Sequence, residues 1–427
     1  MVWRDRSLFA NLVDHLRQMN RDNTGRVQPS GLRYQLPVWE IFRAFLRLGL
    51  TSFGGPIAHL GYFRHEFVEK RRWLDEHAYA DIVALCQFLP GPASSQVGIA
   101  LGLSRGGVPG AVAAWLGFTL PSAIALVLFG TGLTAISSQI GHGWLHGLKV
   151  VAVAVVAQAL WGMGKSLSPD KLRATVAVLA ALSASVWSSA TGQVGAIVAA
   201  GIVGALFLPE SSAAPVTPQA VHIGRITGAM FLVAFFVLLF GLPLFAAASR
   251  SHVAQLIDAF YRSGALVFGG GHVVLPLLQA QVVPAGWVSN DAFLAGYGMA
   301  QAVPGPLFTF AAFLGAVSTQ SPAGWTGAGI ALVAIFLPGF LLVIGALPFW
   351  DRLRQYSSMR RAMLGINAAV VGLLLAAFYN PVWTSAISNR IDFCLASAAF
   401  LVLVWWKAPP WLVVLVAALA TGLGIGS

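Results

Sequence analysis

The sequence predicts an all-α polytopic membrane protein made of two inverted-topology repeats, with broken or re-entrant helices at FGG and PGP motifs. Three observations predict it. The chain of 427 residues is 57% hydrophobic and only 10% charged, and its apolar runs recur almost to the C-terminus, each near the roughly 20 residues that cross a bilayer core. The stretch TSFGGPIAHL at 51–60 has a near-copy, LVFGGGHVVL, at 266–275. One extra apolar run, 225–247, lies between the two copies.

Residues 1–37 read as a cytoplasmic N-terminal extension, polar and basic. They contain no apolar core before a cleavage site, so no signal peptide is expected. Within them SLFANLVDHLRQM (7–19) places Leu8, Phe9, Leu12, Val13 and Leu16 on one helical face, the pattern of a helix lying on the membrane surface.

The first module is expected at 38–208, a linker with its joining span at 209–250, and the second module at 251–427. FLRLGLTSFGG (45–55) aligns with FYRSGALVFGG (260–270), and Phe45, Arg47, Gly49, Phe53, Gly54 and Gly55 all recur 215 positions later. Trp73 pairs with Trp287, QFLPGP (87–92) with QAVPGP (301–306), and FTLP (118–121) with IFLP (335–338). Each module therefore runs in one order. An FGG unit (41–69; 253–283) is followed by a PGP unit (75–103; 291–316) and a long span with an internal proline (107–137; 324–350). Another span (142–163; 358–379) and two short ones (172–188 and 193–208; 391–406 and 411–426) complete it. An even number of crossings per module plus one joining span turns the second module over, as in many secondary transporters.

Charge placement agrees with this topology. The net charge is +11; in a membrane protein that excess marks cytoplasmic loops rather than a nucleic-acid partner. With Arg4 to Arg33 inside, Lys165, Lys171, Arg173, Arg352, Arg354, Arg360 and Arg361 also fall inside, and the outer loops at 138–141, 189–192 and 317–323 contain no Lys or Arg. Lys70, Arg71 and Arg72 fall inside only if the first FGG unit is re-entrant, which is the expectation for both halves.

Glycine and proline break these segments where a lipid-exposed backbone could not be tolerated, so protein or a water-filled cavity must surround them. Gly54 and Gly55 end one half-helix, Pro56 suits the start of the next, and PGPASSQ repeats the device with Ser94, Ser95 and Gln96 in the first turn after Pro92. Helix N-termini near the midplane present free N–H groups and a positive dipole end to an anion. The substrate-contact candidates are Ser52, Phe53, Gly54, Gly55 and Pro56 at the first break, with Gln87, Pro90, Gly91, Pro92, Ser94, Ser95 and Gln96 after it. The second half contributes Gly269, Gly270 and Gly271, then Gln301, Pro304, Gly305, Pro306 and Thr309. Arg47 and Arg262 stand before the two FGG breaks, where a guanidinium could meet an oxyanion. Salt bridging to Asp258 for Arg262, or to Glu40 for Arg43, is the alternative, as is snorkelling. The proton-coupling candidates are His59, Asp81 and His272; ordinary hydrogen-bonded packing is their alternative. Glu66 and Glu69 beside Arg64 and Lys70 read as a solvated loop network.

Other chemistry is not expected. Cys86 and Cys394 form no disulfide framework, and His142 and His146 at i, i+4 have no Cys, Asp or Glu nearby in sequence to complete a metal site. No P-loop, Gly-x-Ser-x-Gly or His-Glu-x-x-His motif is present, so neither an enzyme nor a cofactor is expected.

FLRLGLTSFGGPIAHLGYFRHEFVEKRRWLDE followed by ALCQFLPGPASSQVG resembles the first module of the chromate ion transporter family, and 260–315 its second, as in long-chain two-module members. The resemblance spans nearly all of 38–426. It implies proton-motive-force-driven export of chromate across the bacterial inner membrane, conferring chromate resistance. It also implies that Arg47, Phe53 to Pro56, His59, Gln87 and Pro90 to Pro92 match recurrent positions, together with Glu66, Arg71, Arg72 and Trp73 of the cytoplasmic loop. The second module departs from the first: Gly271 replaces Pro56, Val274 replaces His59, Phe308 replaces Ser94, and the Lys-Arg-Arg loop is absent. Chromate, protons and the lipid bilayer are the expected partners, with a homodimer also considered. From physics alone a sulfate or other oxyanion porter, an anion channel or a non-transporting assembly subunit stays open.

Overall fold

The computed structural model describes residues 36–53, 55–136, 143–187, 189–209, 223–249, 251–268, 271–353 and 355–422. The expected surface helix at 7–19, the charges Arg4 to Arg33 and Arg354, His142, and the glycines Gly54, Gly269 and Gly270 lie outside the described residues. All regular structure among the described residues is helical.

The first element, α1 (Val38–Thr51), is amphipathic and buries Ile41, Ala44, Phe45 and Leu48, the three-and-four spacing of one helical face. Ser52 is extended and stops it. After the break α2 (Gly55–Arg64) runs into a π-turn, His65–Lys70. The chain then doubles back: the Phe67 ring lies 4.7 Å from Phe45 and 4.5 Å from Trp73, and Arg71 Nη1 reaches Glu40 Oε1 at 3.8 Å. The first FGG unit is thus a re-entrant hairpin whose two ends lie side by side.

The PGP unit repeats the shape. In α3 (Glu76–Phe88) the Asp75 carboxylate accepts from Ala78 N–H at 2.8 Å and caps the N-terminus. The return helix is the first part of α4 (Ala93–Ile136), which leaves helical geometry at Gly106 and at Gly107 (φ +62°). Just before that kink the Arg105 carbonyl accepts from Leu36 N–H at 2.9 Å, closing the second hairpin beside the start of the first. Beyond the kink the helix continues to Ile136.

Four helices complete the first half and the connection: α5 (Gly143–Leu167), α6 (Lys171–Val186), α7 (Ala190–Phe207) and the joining α8 (Arg225–Ser249). The last exposes Met230, Val233, Phe236, Phe240 and Leu244, as a lipid-facing helix must. The second half repeats the order with α9 (His252–Ala265), a 3-10 turn Gly271–Val273, α10 (Val274–Val282) and α11 (Asn290–Ala302). A second 3-10 turn, Leu307–Thr309, leads into α12 (Phe310–Ala316) and α13 (Gly324–Ala346). The half ends in α14 (Ser357–Ala377), α15 (Arg390–Val404) and α16 (Pro410–Gly422). Its two hairpins close like those of the first: the His252 and Trp287 rings are 4.7 Å apart, and Thr319 N–H donates to the Trp287 carbonyl at 2.9 Å. Among the described residues, five helical stretches are long and apolar enough to cross a membrane, Arg225–Ser249 and Gly324–Phe349 being two of them. The protein is a multi-pass membrane protein.

Small residues set the helix crossings, because apolar surface is not by itself a driving force in lipid. A methyl at Gly49 would lie 2.7 Å from the Gly117 carbonyl, and its repeat partner Gly264 abuts the Ile335 carbonyl in the same way. Gly102 meets Gly110, and Gly315 meets Gly327, again backbone to backbone. The halves also exchange their last two helices. Gly204 of α7 and Ala177 of α6 pack on α14 at Gly365 and Gly372. Conversely, α15 and α16 pack on α5, where Gly147 meets Ala417 and Ala418, and Gln158 Nε2 donates to the Leu403 carbonyl at 3.2 Å.

Candidate functional site

The four breaks meet. Gly91 of the first PGP turn donates its N–H to the carbonyl of Val267, in the second FGG break, at 2.7 Å. Gly305 of the second PGP turn donates to the carbonyl of Ser52, in the first FGG break, at 3.0 Å. Ser52 and Val267 occupy matching repeat positions, so the two bonds are one contact made twice across the pseudo-symmetry. Gly91 (φ +124°) and Gly305 (φ +106°) adopt left-handed conformations that glycine alone tolerates well. Side-chain space is short as well: a methyl would come within 2.7 Å of Gln96 Nε2 at Gly91 and 2.8 Å of Ser122 Oγ at Gly305. A Cβ on Gly271 would sit 3.5 Å from Leu307 and 3.6 Å from Pro56, so the two FGG breaks also touch directly.

Around this junction the first half is polar. His59 is buried, its Nδ1 3.3 Å from Ser94 Oγ and its ring edge-on to Phe118 at 5.2 Å. Gln96 Nε2 donates to the Pro90 carbonyl at 2.8 Å and braces the PGP turn. Ser122 Oγ donates to the Thr119 carbonyl at 3.1 Å. The hydroxyls of Ser52, Ser95 and Thr119 are buried with no hydrogen-bond partner among the described residues, and so is the Gln301 Nε2 amide of the second half.

Several candidates stand elsewhere. Arg47 is exposed on α1, outside the buried junction, and makes no ion pair among the described residues. Gln87 is exposed, whereas Gln301 is half-buried. Phe53 is half-buried and 6.4 Å from the Trp411 ring of α16. Arg262 donates to both carboxylate oxygens of Asp258, at 2.8 and 2.5 Å, so here the salt bridge is the geometry present. Glu40 pairs with Arg71 instead of Arg43. Asp81 Oδ1 accepts from Trp350 Nε1 at 3.1 Å, across the halves, and His272 Nδ1 meets the Tyr297 hydroxyl at 2.7 Å. Thr309 Oγ1 donates to the Pro306 carbonyl at 2.8 Å.

The loop between the two first-half hairpins corrects one expectation. Glu66 is not solvated; it is buried and accepts from Arg71 Nε at 2.7 Å and Lys70 Nζ at 3.3 Å. Burial opposes its charge, but the Arg71 and Lys70 hydrogen bonds outweigh burial and hold its pKa below the ordinary carboxylate value. Glu69, by contrast, is exposed beside Arg64 and His65. Trp73 stacks on Phe67, with the Arg71 guanidinium 5.8 Å above it. Arg72 is exposed with φ +50°.

Reasoning from sequence missed Thr119, Ser122, Tyr297 and Trp350. The alignment of FTLP with IFLP was the signal for Thr119, because the threonine faces phenylalanine in the copy. It also missed Asp392, whose carboxylate lies 2.7 Å from His146 Nε2. A cleft of about 640 Å³, lined by Leu160, Trp161, Lys165, Phe378 and Phe400, involves none of the break residues.

Comparison with known proteins follows the same division of the chain. A family model described as "Chromate transporter" matches residues 39–206 and again 254–423. A "Chromate transport protein" of Pseudomonas aeruginosa is 28% identical over 419 residues, 94% of each chain. A "Probable chromate transport protein" of Synechococcus elongatus is 28% identical over 349 residues, 79% of this chain and 83% of its own. The "Uncharacterized transporter YwrA" of Bacillus subtilis is 34% identical over 122 residues, 28% of this chain and 66% of its own. No solved structure matches.

Proposed function

The chain belongs to the chromate transporter family, and from that membership we propose that it exports chromate across a bacterial inner membrane, driven by the proton motive force. Export of the toxic anion would confer resistance to it, with the N-terminus in the cytoplasm. The observation that carries this reading is the reciprocal docking of the breaks, Gly91 on Val267 and Gly305 on Ser52. It gathers non-helical backbone from both halves in one place, and inverted repeats that meet at broken helices are how secondary transporters build a site that opens to either side. The N-terminal ends of α2 and α4 lie at that junction and favour an anion. Relatives whose printed names specify chromate transport supply the substrate.

The half-helices would hold the tetrahedral dianion while the halves rock about the paired contacts. His59 and His272 beside the breaks, and Asp81 within α3, are the proton-coupling candidates, each already hydrogen-bonded to a neighbour that a protonation change would disturb. Everted vesicles energised by respiration test the proposal: they should accumulate chromate, and a protonophore should abolish accumulation. Uptake indifferent to the protonophore rejects the coupling, and sulfate accumulation that excludes chromate rejects the substrate.

A further inference from the structure

We propose that the oxyanion is gripped chiefly by the first half, through the hydroxyls of Ser52, Ser95 and Thr119, while the second half supplies a largely apolar counterface whose one buried donor without a partner among the described break residues is the Gln301 amide. This rests on the oxyanion-transport reading above. All three residues are at most 3% exposed, and all three hydroxyl oxygens lack a partner among the described residues. Ser52 is the extended residue that ends α1, whereas Ser95 and Thr119 lie in α4, where the carbonyl three or four residues back is a ready acceptor. Other buried hydroxyls use it: Ser122 donates to Thr119, Ser263 to Ala259 and Thr309 to Pro306. Three unmade hydrogen bonds in an apolar interior are costly, and donors to a ligand are the chemistry that accounts for them together.

The three hydroxyl residues share one neighbourhood. Ser52 holds Gly305 through its carbonyl, and Gly305 packs on Ser122 and on the Phe118 carbonyl, next to Thr119. Ser94, adjacent to Ser95, meets His59, whose ring lies against Phe118. The buried carboxylates among the described residues, Glu66, Asp258 and Asp392, belong to ion pairs of their own. Neutral O–H donors near two helix N-termini suit an oxyanion, because hydrogen bonds to a charged acceptor are short and strong.

The repeat supplies the contrast. Ser52 corresponds to Val267, Thr119 to Phe336, and Ser95 to Thr309, whose hydroxyl is already taken. Their neighbours follow: His59 corresponds to Val274, Ser94 to Phe308 and Gln96 to Phe310. Phe308 and Phe336 pack against each other at 5.8 Å, so aromatic rings fill the volume that hydroxyls line in the first half. Charge shows the same asymmetry. Arg47 is open, whereas its counterpart Arg262 is neutralised by Asp258.

The test uses the full-length chain in liposomes with chromate as probe, and the same variants in detergent for thermal stability. S52A, S95A and T119V should each raise KM for chromate at least about tenfold, as expected for a hydrogen bond to a charged ligand, with kcat changed less. T119S should stay near wild type. Stability without anion should be unchanged or higher in T119V, since an unpaired hydroxyl is removed. S263A, which loses a made bond, should lower stability and leave KM alone. Wild-type KM in all three variants overturns the site and leaves transport standing, and so does a T119S defect as large as that of T119V. Wild-type liposomes that take up no chromate, with a chromate-induced thermal shift lost in T119V, reject transport and support the site.

Discussion

Gly91 and Val267, 176 positions apart in the sequence, share a 2.7 Å backbone hydrogen bond that joins the PGP turn of one half to the FGG break of the other. Its twin between Gly305 and Ser52 makes the junction a matched pair. Side chains contribute nothing to either bond, so the contact depends on backbone shape alone.

That dependence ranks the glycines. Gly91→Ala and Gly305→Ala must force a left-handed conformation and also displace Gln96 or Ser122. Gly55 also has a positive φ, +79°, but a methyl there meets nothing within 4 Å. Strain at a single such residue is about 1–2 kcal/mol. Chromate uptake should therefore fall well over tenfold in G91A and G305A and only severalfold in G55A, at equal membrane amounts by immunoblot. Equal defects in all three would contradict the ranking.

Arg47 and Arg262 should separate by the kind of damage. R47Q removes an open positive charge and should raise KM for chromate about tenfold, with the protein normally folded. R262Q leaves the buried Asp258 carboxylate unpaired, so its yield should drop, and the double variant D258N/R262Q should recover it. Kinetics and detergent-solubilised yield decide this.

Glu66 should make stability fall in acid. Its folded-state pKa lies below its ordinary value of 4.5, so its contribution is complete above 4.5 and is lost as pH drops through the lowered value. E66Q should melt at a lower temperature than wild type at pH 7, and the gap should narrow as pH falls below about 4.5. Intrinsic tryptophan fluorescence on heating, across a pH series, measures both.

Exchange of the last helices predicts that neither half is stable alone. Fragments 1–215 and 216–427 should each accumulate poorly in the membrane when expressed singly. Expressed together they should recover both abundance and chromate uptake, because α6 and α7 find α14, and α15 and α16 find α5. Robust accumulation of either fragment alone would refute this.

Much of the architecture was legible because the repeat is written in glycine and proline. The FGG and PGP copies marked the four breaks, and Lys70 to Arg72 marked a re-entrant unit, since only a hairpin brings Arg71 back to Glu40. Pairing between halves was not legible: nothing in the local sequence says that Gly91 meets Val267 rather than Phe53. Burial was not legible. Glu66 looked solvated from its charged neighbours but is enclosed, while nothing in the motifs signalled that Arg47 and Gln87 are exposed. Charge and motif membership are local properties, whereas depth depends on which helix covers a face. Arg262 was readable either way, and the i, i+4 spacing to Asp258 decided it.

The helix exchange also sets a timetable for biogenesis. The stretch α6–α7 is synthesised by residue 207, but α14, on which it packs, is finished only at residue 377. At ordinary elongation speeds that interval is on the order of ten to thirty seconds. During it, the glycine- and alanine-lined groove of α6 and α7 has only lipid or the insertion machinery for company. A newborn first half is therefore a client waiting for its own C-terminus, and slowed translation of the second half would expose it to membrane proteases.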